Sequence, residues 1–535
     1  MWWIFINWQT TLECVLIALI FASLLCAVAF KPLGILQGLG YKGASLIKWS
    51  HRKSNLTQAR FSVLSLACAL SYAVISLCFG FAGAHWGAVT GLVAYAIFFI
   101  LYVFADARQS FKGSASLTSR FKRLLITLWV TLAILIYLTA TLLNFGEYAW
   151  GLDIFATLKY CVLALFPLAL IPVICLANLI AKIWETPINN SYVKKAKAVV
   201  KNSKLTIVGI TGSYGKTSAK NILAAMLGAK FKVLSTPSSF NTPLGLAKTI
   251  NGKNLEDYDV LIAEMGARRG GDIAELCAIT PPDYSLITGI CPQHLQTFKT
   301  VENIVAAKGE IIAGTKNTCF ISKDCYNFFE NIEGDKRVCD CLSDVKADCT
   351  GTEFTLTLGG ESTRVKTKLL GAHCAKNIAL CADLAFEMGV SLSEIARVVG
   401  ELEFTEHRLQ LIVSNGVNIL DDGYNSNVVG ARAAIEVLKL FGGKKIAVTP
   451  GLVELGVLEE SENKALGAEL IGLDFIILVG ETLVKAIKEG YLEAGGEEQK
   501  ITVVPSLVKA QDVLKGILTQ GDSVLFLNDL PEIYL

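Results

Sequence analysis

Residues 204–218 read KLTIVGITGSYGKTS. Lys204–Ile210 is a short β-branched run of the kind buried in a parallel sheet. Thr211, Gly212, Ser213, Tyr214, Gly215, Lys216, Thr217 and Ser218 follow, and then a helical pattern through about Leu227. Strand, glycine-rich loop and helix, in that order, is the setting a phosphate loop needs. Gly212 and Gly215 let backbone N–H groups approach phosphate oxygens. Lys216 supplies a positive charge for the β- and γ-phosphates, and Thr217 a hydroxyl for Mg2+. The helix N-terminus adds its dipole. The strict pattern G-x-x-x-x-G-K-[ST] asks for glycine where this chain has Ile210.

Downstream the α/β rhythm continues. Val260–Ala263 reads as a strand and ends at Glu264, a carboxylate at a strand's carboxyl edge, where ligands bind in open α/β sheets. Such a carboxylate is a natural Mg2+ ligand. A second strand, Tyr284–Thr288, leads through a short loop to His294, and Lys308 opens a helix after it. Beyond residue 404, strands at Val417–Asp421, Lys445–Thr449, Asp474–Val479, Ile501–Val504 and Ser523–Leu527 alternate with helical patterns. This predicts a second, Rossmann-like α/β domain.

Upstream the chemistry changes. The 535 residues suggest about three domains. Net charge is +2, hydrophobic residues are 53% and charged residues 18%, so neither a polyanion-binding protein nor a disordered chain fits, and no nucleic-acid partner is expected. That average hides two modules. Residues 1–181 hold 12 Lys/Arg and 4 Asp/Glu; the rest hold 37 and 43. Cys14–Phe30, the uncharged stretch Phe61–Ala105 (two crossings joined by a hairpin at Gly80–Gly87), Leu124–Gly146 and Tyr160–Ala181 predict about five transmembrane helices. The first ten residues lack Lys and Arg, unlike a cleaved signal peptide, and Trp2, Trp3 and Trp8 read as interfacial anchors.

The basic loops 31–60 and 106–123 alternate with near-neutral ones, which places the N-terminus outside and everything after Lys182 in the cytoplasm. Glu13 and Lys159 lie near helix ends, where snorkelling is the simple expectation. Pro167 and Pro172 are expected to kink the last helix, and contact with membrane lipids is expected. The chain therefore reads as an α-helical membrane module, 1–181, followed by α/β domains at 182–403 and 404–535.

The glycine loop and its surroundings resemble the Mur ligases, whose nucleotide loop is typically G-x-T-G-x-x-G-K-T-[ST] and tolerates a residue other than glycine at position 210. Further similar segments come in order: SSFNTPLGLAKTI (238–250), the strand and acid through ICPQHLQTF (259–298), AAKGEII (306–312), GAHCAKNIALCA (371–382), EHRL (406–409) and DDGYNSN (421–427). They are most similar to the D-alanyl-D-alanine-adding branch of that family.

The resemblance implies a P-loop central domain and an ATP-dependent amide ligase using Mg2+. Glu264, His294 and a carbamylated Lys308 would hold a second Mg2+ beside the one at Thr217. Asn377 would face the adenine, Arg408 would reach the ATP phosphates, and Asp422, Asn425 and Asn427 would lie near phosphate and the incoming amine. The substrates would be a peptidoglycan precursor and an amino acid or dipeptide. Cys374 replaces the family's first Asn in its motif, and Gly423 and Val428 replace its Ser and Pro.

Soluble relatives begin with a domain that holds a UDP-sugar peptide. Here only about 23 residues separate Ala181 from Leu205, too few for a domain, and the membrane module stands in its place. The family's basic K-G-S-R-G ending is also replaced. The acceptor is therefore expected to be UDP-linked or lipid-linked. A Mur-like ligase with another amine donor, and a nucleotide-binding membrane scaffold or transporter without ligation, remain as alternatives. The 15 cysteines include Cys319, Cys325, Cys339, Cys341 and Cys349, whose spacing lacks a C-x2-C knuckle; buried thiols are the simpler reading, zinc the alternative.

Overall fold

The computed structural model describes residues 8–51, 115–150, 154–424 and 426–528, with a few single residues between 67 and 100. The crossings expected over 61–105, the hairpin at 80–87, the first part of the basic loop 106–123 and Asn425 lie outside the described residues. The chain divides into two compact units, Met1–Ile188 and Asn189–Leu535.

The first unit is helical: Trp8–Gly38, Gly43–Ser50, Ser119–Trp150, Ile154–Leu165 and the start of Leu170–Lys201. Three helices, Thr10–Gly38, Ser119–Phe145 and Cys161–Lys201, are long and apolar enough to cross a membrane. Cys14, Ala18, Ala22 and Cys26 recur every four residues on the buried face of the first, and small side chains there let backbones approach closely. In Ser119–Trp150 the buried stripe is Leu124, Leu128, Leu132, Ile136 and Ala140, while Ile126, Val130, Ile134, Leu138 and Leu142 point outward and stay exposed. An apolar stripe left outside at helical spacing has no solvent as good as lipid.

The proline at 167 does more than kink. It sits in a 3-10 segment, Phe166–Ala169, that separates the helix Ile154–Leu165 from Leu170–Lys201, whereas Pro172 falls in the first turn of the latter, where proline is tolerated. Snorkelling is not what Lys159 does. Its side chain is buried, and the ammonium donates to Glu13 Oε1 at 2.9 Å and to Asn144 Oδ1 at 3.1 Å, while Asn144 Nδ2 donates to Cys14 Sγ at 3.0 Å. Pairing inside the bundle replaces the climb to the interface. At the opposite end of these helices Arg123 forks onto buried Glu185, and Arg120 lies over the Tyr41 ring at 3.8 Å.

The second unit opens with a six-stranded parallel sheet ordered β2-β3-β1-β4-β5-β6. The strands are β1 (Thr206–Thr211), β2 (Val233–Ser235), β3 (Val260–Glu264), β4 (Tyr284–Ile287), β5 (Cys319–Ser322) and β6 (Lys336–Cys339). Being covered by helices on both faces, β3 is buried at every residue, which is why it reads as a continuous apolar run. A small antiparallel sheet follows, β7 (Leu342–Asp348), β8 (Gly351–Leu358) and β9 (Glu361–Thr367). It buries Phe354, Leu356 and Leu358 against the helix Ala372–Glu387.

The second α/β domain has the sheet order β10-β11-β15-β12-β13-β14. These are β10 (Gln410–Ser414), β11 (Val417–Asp422), β12 (Lys445–Thr449), β13 (Phe475–Val479), β14 (Ile501–Val504) and β15 (Ser523–Leu527). All pairs are parallel except β10 with β11. The strands expected beyond residue 404 are present within a residue at each end; β10 was not foreseen.

Candidate active site

The glycine loop caps β1, whose chain turns straight into the helix Lys216–Leu227. Gly212 (φ +149°) and Gly215 (φ +76°) make the turn. A Cβ on Gly212 would meet Thr288 Oγ1 at 2.1 Å, and one on Gly215 would meet Asn377 Oδ1 at 2.9 Å, so neither position has room for a side chain. Ser213 N–H donates to Gly289 O at 2.8 Å, while its buried hydroxyl oxygen has no hydrogen-bond partner within normal distance among the described residues. Lys216 folds back on its own loop, donating to Gly212 O at 2.6 Å and Ser213 O at 3.3 Å. Burial lowers its pKa, and the Glu264 carboxylate opposes that shift. Thr211 Oγ1 donates to Met265 O at 2.9 Å, and the Tyr214 ring packs on Gly289, its phenol pushed up by burial.

Glu264 is buried at the end of β3, next to the loop. It accepts from Thr217 Oγ1 at 3.1 Å and from Asn241 Nδ2 at 3.1 Å, and its Oε2 lies 3.4 Å from the Lys220 ammonium. Lys220, also buried, donates in addition to the Ser238 carbonyl. Lys308 is buried in the helix Val301–Gly314; desolvation first, and then the Lys216 charge, drive its amine well below the usual lysine value.

His294, expected to share a cation with Glu264, takes its hydrogen-bond partner from the second domain. Its Nδ1 is bonded to the Glu454 carboxylate, which also faces Arg268 at 3.6 Å. Burial holds the imidazole below its ordinary pKa. Among the described residues no three His, Cys, Asp or Glu side chains gather as a ready metal cage. What the loop does offer is a hydroxyl and a carboxylate already in contact (Thr217, Glu264) and an orphaned hydroxyl at Ser213. That donor chemistry fits a phosphate–Mg2+ group.

Behind the loop a cleft of about 520 Å3 is lined by Ser218, Asn221, Asn377, Phe404, Thr405 and Arg408 among others. Arg408 comes from the inter-domain segment; it donates to Tyr424 O at 2.8 Å and lies over the Tyr424 ring at 4.6 Å. Asp422 accepts from Leu409 N at 3.1 Å, and burial pushes its carboxyl from 3.8 up to about 6. Asn427 serves locally: it caps the helix Val428–Lys439, accepting from Gly430 N at 3.0 Å. His373 is a half-buried helix residue that lines this cleft, and desolvation lowers its pKa to about 4; Cys374 donates to Leu369 O at 3.4 Å.

The cysteine cluster is not a metal knuckle. Of the five, Cys339 and Cys341 meet, Sγ to Sγ at 3.6 Å, and burial pushes the Cys319 and Cys325 thiols up to about 12.

Sequence reasoning passed over Lys220, Asn221, Thr405, Tyr424 and Glu454. Lys220 had a signal: it lies four residues after Lys216, on the same helical face. Glu454 had none, because only the meeting of the two domains gives it a partner.

Glycine loop, strand-end carboxylate and an arginine from the inter-domain segment place the candidate site where two α/β domains adjoin. Residues 210–385 match the Mur ligase middle domain, and residues 407–528 the Mur ligase, glutamate ligase domain. The UDP-N-acetylmuramoyl-tripeptide--D-alanyl-D-alanine ligase of Bacillus subtilis is 30% identical over 348 residues, covering 62% of this chain and 74% of that protein. The Escherichia coli enzyme of the same name is 29% identical over 292 residues, covering 51% of this chain and 64% of its own length. A crystal structure of MurF ligase from Thermotoga maritima in complex with ADP superposes with a TM-score of 0.58 at 28% identity, covering 64% of this chain and 80% of that one. The chain belongs to the Mur ligase family, ATP-dependent ligases that form carbon–nitrogen bonds.

Proposed function

We propose that this protein joins an amino acid or D-alanyl-D-alanine to the peptide of a peptidoglycan precursor, through an acyl phosphate, at the cytoplasmic face of the membrane. The observation that carries the reading is the meeting of Lys216, Thr217, Glu264 and Lys308 at one sheet edge with Arg408 across the adjoining cleft.

ATP fits the glycine loop as a P-loop, with adenine toward Asn377. Thr217, Glu264, His294 and Lys308, the last as its carbamate, would hold Mg2+, which supplies charge neutralisation to the phosphates. A neutral, buried amine is the form that combines with CO2, and the surroundings of Lys308 favour that form.

Lys216 is placed to leave the loop carbonyls for the γ-phosphate. The acceptor's carboxylate oxygen attacks the γ-phosphorus and ADP departs. The amine then attacks the acyl carbon, phosphate leaves, and the amine proton is lost. Lys216, the loop N–H groups and Arg408 stabilise charge as it develops on the transferring group. Closure of the cleft would keep water from the acyl phosphate.

The membrane location rests on three apolar helices whose outward stripes suit lipid, on the basic residues gathered at the Arg120–Glu185 end, and on the last of these helices leading into β1. This favours an N-terminus outside and a lipid-linked acceptor, both proposals. The test is phosphate release by the purified full chain with UDP-linked and with lipid-linked muramoyl tripeptide plus D-alanyl-D-alanine. Turnover with the lipid-linked form is expected; turnover with the UDP-linked form alone removes the lipid assignment, and an active Lys216→Ala variant removes the mechanism.

A further inference from the structure

We propose that Glu454 is a positioning residue that completes the cation site from the second domain: by holding His294 through Nδ1, it leaves the Nε2 lone pair for a cation and ties that site to domain closure. The inference rests on the proposed role of His294 as a cation ligand.

The geometry is unusual in both partners. His294 (φ +54°) and Glu454 (φ +64°) each hold a left-handed backbone conformation that residues with a side chain seldom adopt, and they face one another across the two domains. Neither conformation is imposed by a regular element. His294 immediately precedes the one-turn helix Leu295–Phe298, and Glu454 lies in the loop between β12 and the 3-10 turn Gly456–Leu458.

The loop is docked rather than hanging. Leu452 and Leu455 are buried in the core of the second domain, while Leu458 packs against the core of the first. Gly456 (φ +62°) lies so near Leu295 that an added Cβ would come within 3.4 Å of its backbone. Arg268 holds the other carboxylate oxygen at 3.6 Å, so both oxygens of Glu454 face the first domain.

A neutral imidazole has one N–H. If a carboxylate takes it at Nδ1, the lone pair is at Nε2, which is the form a divalent cation binds, and such a carboxylate typically matters 10–100-fold for affinity. Here the carboxylate comes from the far domain. When the domains part, His294 loses the group that fixes its tautomer, so the cation site is fully formed only in the closed molecule.

The experiment uses the full chain in detergent and Mn2+ alone as the probe, with binding followed by electron paramagnetic resonance. The tautomer is read from 15N-histidine spectra, which five histidines keep simple. Glu454→Ala is expected to weaken Mn2+ binding by about 10–100-fold and to return the His294 signal to a mixture of tautomers. Glu454→Asp is expected to restore much of both. Unchanged Mn2+ affinity and an unchanged His294 tautomer in a folded Glu454→Ala protein would overturn the proposal, whatever its melting temperature. His294→Ala separates the two readings: no loss of Mn2+ there means that the ligand assignment has failed, whereas loss there without loss in Glu454→Ala means that the positioning role has failed.

Discussion

Replacing Glu264 with alanine leaves the Lys220 ammonium buried with only the Ser238 carbonyl beside it. The two side chains are 2% and 1% exposed and 3.4 Å apart, so water cannot take over the lost partner. Breaking a buried pair by removing one member costs about 3–5 kcal/mol. For a domain of roughly 200 residues each kcal/mol lowers the melting temperature by about 2–4 °C, so a fall of about 6–20 °C follows. The reverse change, Lys220→Met, costs less, because Glu264 keeps the Thr217 hydroxyl and the Asn241 amide as donors at 3.1 Å each. Combining Lys220→Met with Glu264→Leu removes both charges and should recover much of the loss. The assay is thermal unfolding of the full chain, followed through the α/β unit by tryptophan-independent dye fluorescence. A Glu264→Ala protein that melts within 2 °C of the parent, or a double variant no more stable than Glu264→Ala, would refute the reasoning.

Three further outcomes are expected. Gly212→Ala forces a methyl group against Thr288 Oγ1 at 2.1 Å in a backbone conformation closed to alanine, so ADP binding should be lost in calorimetry while the other domain melts normally. Asp422 has its carboxyl raised from 3.8 to about 6, which means folding favours the protonated form; its contribution to stability is present below pH 3.8 and is lost as pH rises to about 6. Asp422→Asn should therefore flatten the pH dependence of unfolding in that window and stabilise the protein at pH 7. Lys308, buried and with its amine held well below the usual lysine value, should yield a carbamate carbon signal in 13C spectra with labelled bicarbonate, and Lys308→Met should abolish it; a parent protein without the signal refutes the assignment.

The parallel strands were legible because burial on both faces writes them as apolar runs, as in Val260–Ala263 and Phe475–Val479. The glycine loop was legible because its backbone leaves no choice of residue at Gly212 and Gly215. The small sheet β7–β9 was not read. Its alternation is plain in Phe354, Leu356 and Leu358, and the Gly359-Gly360 pair (φ +58° and +84°) marks a tight hairpin, but charged and threonine-rich faces made the stretch look like a connection. Individual side chains fared differently from elements. Glu264 and Thr217 were found as neighbours because strand and loop adjoin in the sheet. Asn427, expected beside the phosphate, also caps the helix Val428–Lys439, since asparagine before a helical run carries both meanings. Glu454 and the burial of Lys159 depend on contacts spanning 160 and 146 positions of chain, which no local pattern records.

The Lys159–Glu13 pair also bears on how the chain is made. The two residues are 146 positions apart, and synthesis at about 5–20 residues per second separates their appearance by roughly 7–30 s. Through that interval the first helix stands without the lysine that completes its acid's surroundings. A nascent chain halted before residue 159 should therefore be cleaved faster in its first helix by an added protease than one halted after it.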